Sequence, residues 1–211
     1  MFNPFTNSRY LLSAHNLKQL PPDEGREIVF AGRSNAGKSS ALNALSGRKG
    51  LARVSKTPGR TQQLVFFEVC PQRYLVDLPG YGYAKVPQAL REHWRTFIDA
   101  YFQQRSALKA LVIVMDIRHP LKEYDRQLLG YAVVNQLPVH ALLTKADKLG
   151  RGAQTIALNG VRKEMATLFG SAASVQLFSS ETGQGVEQAR AVTAAWLGLT
   201  DNDEPPAPIG E

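Results

Sequence analysis

The sequence predicts an α/β fold in which a six-stranded, mainly parallel sheet with one antiparallel strand carries helices on both faces. Short apolar runs typical of buried strands alternate with segments of helical periodicity from residue 27 to residue 197. Two apolar runs separated by a short turn, QLVFFEV at 63–69 and RYLVD at 73–77, indicate a hairpin. The hairpin predicts the one antiparallel strand, and the alternation of strands with helices predicts that the other strands run parallel.

The other strands are predicted at 27–31, 108–116, 138–144 and 175–179. Helices are predicted at about 39–45, from 87, at 120–135, 153–169 and 185–197. In the second helix an apolar stripe recurs at helical spacing and indicates core packing rather than a binding surface: Leu90, Trp94, Phe97, Ile98, Tyr101 and Phe102. Trp196 fits the apolar stripe of the last helix.

The chain of 211 residues is predicted to consist of three regions. Residues 1–24 are predicted to be an N-terminal extension whose apolar face docks on the domain through Leu11, Leu12, Leu17 and Leu20. Residues 25–199 form one domain, a length that suits a single α/β core. Residues 200–211 are acidic and proline-rich, which predicts a disordered tail.

Cysteine usage and hydropathy indicate a cytoplasmic protein, and we expect it to be a monomer. The single cysteine, Cys70, excludes an intramolecular disulfide, and its apolar surroundings favour a small buried side chain over a reactive thiol. The sequence has no apolar run of about 18 residues and no secretory signal pattern, so we expect no membrane association.

The charge is positive and unevenly spread. The net charge is +7, and the segment Asp201–Glu211 has four acidic residues and no basic one. The remainder holds 25 basic against 14 acidic side chains. This excess favours a polyanionic partner, most simply RNA, although a solvated basic surface is the alternative.

The segment GRSNAGKS follows the first strand and opens a helix, which is the context of a phosphate-binding P-loop. Gly32 and Gly37 allow the backbone to approach an anion closely. Lys38 would contact the phosphates and act in catalysis, and the Ser39 hydroxyl would ligate Mg²⁺. A glycine-rich turn without a ligand is the alternative. This motif predicts a nucleoside triphosphatase.

Three further segments end strands and would therefore lie at the edge where such sheets bind ligands. Asp77, at the start of DLPG, can hold Mg²⁺ through water. Asp147, in TKAD, can accept hydrogen bonds from guanine N1 and the 2-amino group, which adenine lacks. A helix N-cap is the alternative role of Asp147. Backbone amides of Phe178–Ser180 could contact guanine O6.

A basic segment without periodicity, residues 46–61, has a length usually reserved for function. Thr61 within it is a candidate catalytic residue, because its hydroxyl could complete the Mg²⁺ shell only when the γ-phosphate is present. This predicts a loop that is closed with GTP and open with GDP.

Together these motifs resemble the EngB family of bacterial ribosome-assembly GTPases. The matching segments are GRSNAGKSS, SKTPGRTQ, VDLPGYGYA, DIRHPL, TKADK and FSS, and the resemblance covers about residues 20–200. It implies a Ras-like P-loop GTPase domain that binds GTP or GDP with Mg²⁺ on Ser39 and Thr61. It also implies a role with the large ribosomal subunit or its precursor and ribosomal RNA, with a requirement in cell division and septation.

The resemblance places the nucleotide on five segments. These are Gly32, Arg33, Ser34, Asn35, Ala36, Gly37, Lys38 and Ser39; Gly59, Arg60, Thr61, Gln62 and Gln63; Asp77, Leu78, Pro79 and Gly80; Thr144, Lys145, Ala146 and Asp147; and Phe178, Ser179 and Ser180.

Four positions bear on the rate of hydrolysis. Thr144 stands where most GTPases carry Asn, which should weaken the link between the base and the P-loop. Tyr81 follows DLPG where some small GTPases carry a water-orienting Gln. We therefore expect slow basal hydrolysis, on the order of 10⁻⁴ s⁻¹ or less, with Arg60 as a candidate arginine finger. Asn35 could help to hold an activating K⁺ or could simply brace the loop.

Overall fold

The computed structural model describes residues 3–52, 63–80 and 88–199, with the side chains of 88–95 left aside. Its sheet has seven strands in the order β1-β3-β4-β2-β5-β6-β7. They are β1 Arg9–Ala14, β2 Arg26–Gly32, β3 Leu64–Cys70, β4 Arg73–Asp77, β5 Leu108–Asp116, β6 Val139–Thr144 and β7 Ala173–Leu177. The helices are α1 Lys38–Ser46, α2 Gln88–Gln104, α3 Glu123–Val134, α4 Arg151–Phe169 and α5 Val186–Leu197.

The strand directions confirm a mainly parallel sheet. β2 runs parallel to β4 and β5, and β6 runs parallel to β5 and β7. β3 is antiparallel to both of its neighbours, β1 and β4. Within the described residues, β3 is therefore the one strand that opposes the others, as the hairpin pattern predicts.

The predicted count of six strands is wrong, because the N-terminal segment adds a strand. β1 pairs with the outer edge of β3, with an irregularity between Tyr10 and Leu12. Leu12 and Leu20 pack against the core, whereas Leu11 and Leu17 are exposed. The docking predicted for the four leucines is therefore made by two of them.

Alternation along the strands divides the core into two layers. In β2, Val29 and Ala31 face a layer completed by α2, α3 and α4. Ile28 and Phe30 face the other layer, which α1 and α5 cover. This period of two residues places helices on both faces of the sheet, as predicted.

The aromatic stripe of α2 is confirmed as core over its described part, since Phe97, Ile98, Tyr101 and Phe102 are buried. Leu90 and Trp94 lie outside the described side chains. Cys70 is half-buried at the end of β3, so the expectation of full burial is wrong. No helix in the described part of the chain has the length and apolarity needed to cross a bilayer.

Parallel pairing brings the carboxyl ends of five strands to one edge of the sheet. Phe30 lies opposite Asp77, Gly32 opposite Val114, and Asp116 opposite Thr144. The loops that follow these ends therefore meet, and they carry the candidate site.

Candidate functional site

Two glycines shape the loop between β2 and α1. A Cβ on Gly32 would lie 2.5 Å from the carbonyl oxygen of Val114, so only glycine allows β2 and β5 to approach this closely. Gly37 is the N-cap of α1 with φ of 96°, a left-handed conformation, and no side chain caps the helix there. The first-turn amides of α1, which have no acceptor within the helix, can therefore bind an anion.

Lys38 and Asp77 meet beneath this loop. Lys38 is buried in the first turn of α1, and its Nζ forms an ion pair with a carboxylate oxygen of Asp77 at the end of β4. Burial raises the pKa of the Asp77 carboxyl, and the Lys38 ammonium opposes that shift. Ser39 follows, half-buried. The predicted phosphate ligand and both described candidate groups for Mg²⁺ thus stand close together.

The segment after β4 packs on the loop. The backbone amide of Leu78 donates to the Phe30 carbonyl at 2.9 Å, which continues the β2–β4 pairing. A Cβ on Gly80 would lie 3.1 Å from Cα of Ser34 and 3.2 Å from its backbone nitrogen. Pro79 lies between them, half-buried. This contact places Gly80 against the P-loop.

Thr144 joins β6 to the P-loop. Its hydroxyl lies 2.5 Å from the Ala36 carbonyl oxygen and 3.0 Å from that of Met115. A hydroxyl has one proton to donate, so the two carbonyls share it. The link to the P-loop is thus made by threonine, without the second donor that an asparagine amide would bring.

Lys145 adopts a left-handed backbone conformation with φ of 59°. Its Nζ donates to the carbonyl oxygen of Asn35 at 2.7 Å. Asn35 is itself exposed, with φ of 61°. The side chain of Lys145 is therefore fixed along the outer side of the P-loop.

Asp147 lies in a short 3₁₀ helix, Ala146–Lys148, while α4 begins after its N-cap at Gly150. The alternative role of Asp147 as the N-cap of α4 is therefore wrong. Its carboxylate accepts from Ser179 Oγ at 2.6 Å and from Lys148 Nζ at 3.0 Å. These two hydrogen bonds, chiefly that of Ser179, lower its pKa. Asp147 is therefore ionised at neutral pH and able to accept hydrogen bonds from a base.

The loop after β7 holds this carboxylate in place. Phe178 and Ser179 are buried, and Ser180 is exposed. The Phe178 carbonyl accepts from the backbone amide of Ala146 at 3.1 Å. The structure therefore brings Ala146, Asp147 and the Phe178–Ser180 segment together.

Most of the predicted nucleotide contacts at residues 59–63 fall in a part of the chain that the structure does not describe. Gly59, Arg60, Thr61 and Gln62 lie outside the described residues. Gln63 is described, and its side chain hydrogen-bonds the ring of His15. The structure thus joins Gln63 to the segment after β1, and its predicted place beside the nucleotide remains a prediction.

Three charged contacts of the site had no role in the sequence interpretation. Lys148 pairs with Asp147. Asp116, the last residue of β5, contacts Lys145 and Arg118. The available signal was position, since an acidic residue that ends a parallel strand beside a basic loop falls at the ligand edge.

The arrangement fits a nucleotide with a divalent cation. An uncapped helix N-terminus, a buried lysine and a hydroxyl on adjacent residues are what a polyphosphate needs. Among the described residues, no three His, Cys, Asp or Glu side chains cluster as a metal site. Mg²⁺ is commonly bound by one or two protein groups together with phosphates and water, so Ser39 and Asp77 could serve it.

Comparison with known proteins identifies the family. The family model described as 50S ribosome-binding GTPase matches residues 27–145. A probable GTP-binding protein EngB of Stenotrophomonas maltophilia is 67% identical over 192 residues, which cover 91% of this chain and 96% of that protein. The chain belongs to the EngB family. As an EngB protein it binds GTP and hydrolyses it to GDP and phosphate.

Two further comparisons agree. An EngB protein of Xanthomonas axonopodis is 64% identical over 204 residues, or 97% of this chain and 94% of its own. The crystal structure of a probable GTP-binding protein engB superposes with a TM-score of 0.63 at 20% identity, covering 82% of this chain and 98% of that one. The second likeness is one of fold, and the Ras-like GTPase fold predicted from the sequence is confirmed.

Proposed function

We propose that this EngB protein is a GTP-dependent switch that binds the large ribosomal subunit, or its precursor, during assembly. Ribosomal RNA is the proposed contact, and normal cell division and septation are the proposed dependent processes. The family description supports ribosome binding, and the excess of basic side chains supports a contact with RNA. The cytoplasm is the proposed location.

The observation that carries the nucleotide-dependent part of this proposal is the meeting of four segments at one edge of the sheet. The P-loop contacts Asp77, Gly80, Thr144 and Lys145. Asp147 contacts Ser179. These segments form the proposed nucleotide site: Gly32–Ser39, Asp77–Gly80, Thr144–Asp147 and Phe178–Ser180. The proposed site also includes residues 59–63.

Selection of guanine is proposed to depend on Asp147. Its side chain is 13% exposed, so a base bound there would cover a nearly buried carboxylate. Guanine offers two N–H donors to such a group, and adenine would leave it unpaired. Ser179 and Lys148 hold the carboxylate in one position, which reduces the cost of ordering it on binding.

Phosphate binding is proposed to exchange one ion pair for another. Lys38 would leave Asp77 to bind the phosphates, and Asp77 would then hold water molecules around Mg²⁺. Ser39 and Thr61 are the proposed direct ligands. A bound Mg²⁺ would neutralise the charge that develops on the phosphate oxygens.

Hydrolysis is proposed to be slow without a partner. Two residues support this from the sequence alone: Tyr81, in place of a water-orienting Gln, and the candidate finger Arg60 both lie outside the described residues. Unassisted small GTPases hydrolyse GTP at a rate on the order of 10⁻⁴ s⁻¹. Such a slow rate suits a timer better than a metabolic enzyme.

The test of the ribosomal role is co-sedimentation with large subunits. We expect the protein to pellet with 50S particles more strongly with a non-hydrolysable GTP analogue than with GDP, and to release as salt rises. Lys38→Ala, which removes the proposed phosphate contact, is the matched control and should lose the difference between nucleotides. Failure to bind subunits at low salt in either state would favour the alternative, a regulatory GTPase with a protein partner and no direct RNA contact.

Activation by potassium is a separate prediction. Asn35 is exposed beside the phosphate-binding turn, so its side chain is free to help hold a monovalent cation. We expect faster GTP turnover in KCl than in NaCl, and Asn35→Ala should remove that difference. Equal rates in the two salts would reduce Asn35 to a loop-bracing residue.

A further inference from the structure

The ammonium group of Lys145 is fixed at two points. Its Nζ lies 2.7 Å from the carbonyl oxygen of Asn35 in the P-loop and 2.9 Å from Oδ2 of Asp116 at the end of β5. Its backbone is in the left-handed region, which L residues rarely adopt. The path of this side chain is therefore determined at both ends, by its backbone and by its anchors.

Asp116 is in turn held by Arg118. The guanidinium contacts both carboxylate oxygens, Nε to Oδ1 at 2.9 Å and Nη2 to Oδ2 at 2.6 Å. The backbone amide of Arg118 adds a third contact, to Oδ1 at 3.1 Å. Burial acts to raise the pKa of Asp116, but the hydrogen bonds from Arg118 and Lys145 hold that pKa well below its usual range. Asp116 is thus a rigid, ionised anchor at working pH.

The ion pair between Lys145 and Asp116 is less exposed than an ordinary surface ion pair of the same protein. Arg126 and Glu164 pair between α3 and α4 with side chains that are 53% and 28% exposed. Lys145 and Asp116 are 31% and 17% exposed, and they connect three segments of the candidate site. Arg118 already contacts both oxygens of the carboxylate, and Lys145 adds a further contact to Oδ2.

We infer that Asp116 is a positioning residue for nucleotide binding, which holds the aliphatic stem of Lys145 where it covers the face of the base. This inference rests on the proposed nucleotide site. The stem offers an apolar surface to any purine, whereas Asp147 reads the donors on the edge of guanine. Loss of Asp116 therefore weakens binding of every purine nucleotide alike and leaves the preference among them unchanged.

The test is a double-mutant cycle on nucleotide affinity. Asp116→Ala and Lys145→Met are made singly and together, and dissociation constants for GDP and IDP are measured by titration. Asp116→Ala should raise the dissociation constants of both nucleotides about tenfold, a modest effect for the loss of a charge-assisted hydrogen bond. In the Lys145→Met background Asp116→Ala should add nothing, because the residue acts through the lysine.

Steady-state kinetics and a conservative variant separate positioning from general damage. The KM for GTP should rise with the dissociation constant, while kcat at saturation stays within about twofold. Asp116→Glu, which keeps a carboxylate, should recover part of the affinity. If Asp116→Ala does not fold, Asp116→Asn replaces it, with a smaller loss that is again absent in the Lys145→Met background. Glu164→Ala is the control variant and should change neither constant.

The outcomes distinguish this inference from the proposed site. Equal effects of Asp116→Ala with and without Lys145, unchanged affinity in a folded variant, or an altered ratio of GDP to IDP binding would overturn the inference. Asp147→Asn is measured in parallel with GDP and XDP. If it fails to shift preference toward XDP, the proposed site falls, and the inference falls with it.

Discussion

Thr144 shows how a single side chain can hold two segments of a site together. Its hydroxyl lies between the carbonyls of Ala36 in the P-loop and Met115 in β5. Because the residue is buried, its hydroxyl depends on these two carbonyls for its hydrogen bonding. A threonine is thus sufficient to attach β6 to the P-loop, although it offers less than an asparagine.

Replacing this hydroxyl should cost both stability and affinity. Thr144→Val keeps the shape but removes a donor that two buried carbonyls share, which costs about 1–3 kcal/mol of unfolding free energy. GDP affinity should fall as well, because the P-loop loses a support. Urea unfolding and GDP titration check this.

The matched control is Thr193→Val on α5. Thr193 is also buried, and its hydroxyl bonds the Ala189 carbonyl within its own helix. We expect this variant to lower stability without changing GDP affinity. Thr144→Val with unaltered GDP affinity would contradict the role given to the hydroxyl.

At the scale of the element, α2 is fastened to the sheet by a buried charged network. Glu27 at the start of β2 is fully buried and accepts from Tyr101 Oη at 2.6 Å and from Arg105 at 2.5 and 2.9 Å. Burial, reinforced by Glu27, raises the pKa of Tyr101 well above its usual value. This network lies at the amino end of β2, opposite the candidate site.

Breaking this network should lower the free energy of unfolding substantially. Arg105→Met leaves the Glu27 carboxylate buried with a single hydroxyl partner, and such losses cost about 3–5 kcal/mol. Arg126→Met, which removes an exposed partner of Glu164, should cost about 1 kcal/mol or less. Urea unfolding compares the two, and equal small losses would mean that the buried pair is not required for stability.

Pattern and position explain which elements the sequence could predict. β4 and β5 were predicted at their observed bounds, because each is a continuous apolar run between turn residues. β1 was missed, since this irregular edge strand shows no alternation: its first three residues are exposed in succession, and burial increases only toward Ala14. The P-loop, Asp77 and Asp147 could be found because they follow strands. The Asp116–Lys145 and Asp147–Ser179 contacts depend on how the loops pack, which no local pattern encodes.

For the molecule as a whole, a buried histidine joins the two last strands. His140 in β6 contacts Ser174 Oγ at 2.7 Å and Gln176 Oε1 at 2.8 Å. The Gln176 amide donates to the carbonyls of Gly185 at 2.6 Å and Leu177 at 3.2 Å. Its nitrogen therefore faces the carbonyls and its oxygen faces the ring, which assigns the proton of the neutral ring to Nε2.

Stability should therefore decline on mild acidification. Burial lowers the pKa of His140, against the effect of its bond to Gln176, so the unfolded chain binds the proton more tightly. Its contribution is complete above about pH 6.5 and is lost as pH falls toward the folded-state pKa, at no more than about 1.4 kcal/mol per pH unit. Urea unfolding between pH 5 and pH 7.5 measures the slope.

His140→Gln removes the titrating group and should flatten this slope, whereas His15→Gln at an exposed site should leave it intact. The lowered pKa of the Asp116, Asp147 and Asp23 carboxyls acts at lower pH, since unfolded aspartates titrate near 3.9. The same slope in the wild type and His140→Gln would show that another group controls it.

The order of strands in the sheet also has a consequence for synthesis. β5, β6 and β7 join outward from β2 in the order in which they are translated. A nascent chain can therefore form the P-loop against β4 and β5 before Ser179 exists to hold Asp147. Arg190 likewise adds a late contact to the last carbonyls of α1, at Ala44 and Leu45, which Gly47 and Asn3 already contact. The contact that holds Asp147 in the proposed guanine site therefore forms only after the P-loop, Asp77 and Asp147 have all been translated.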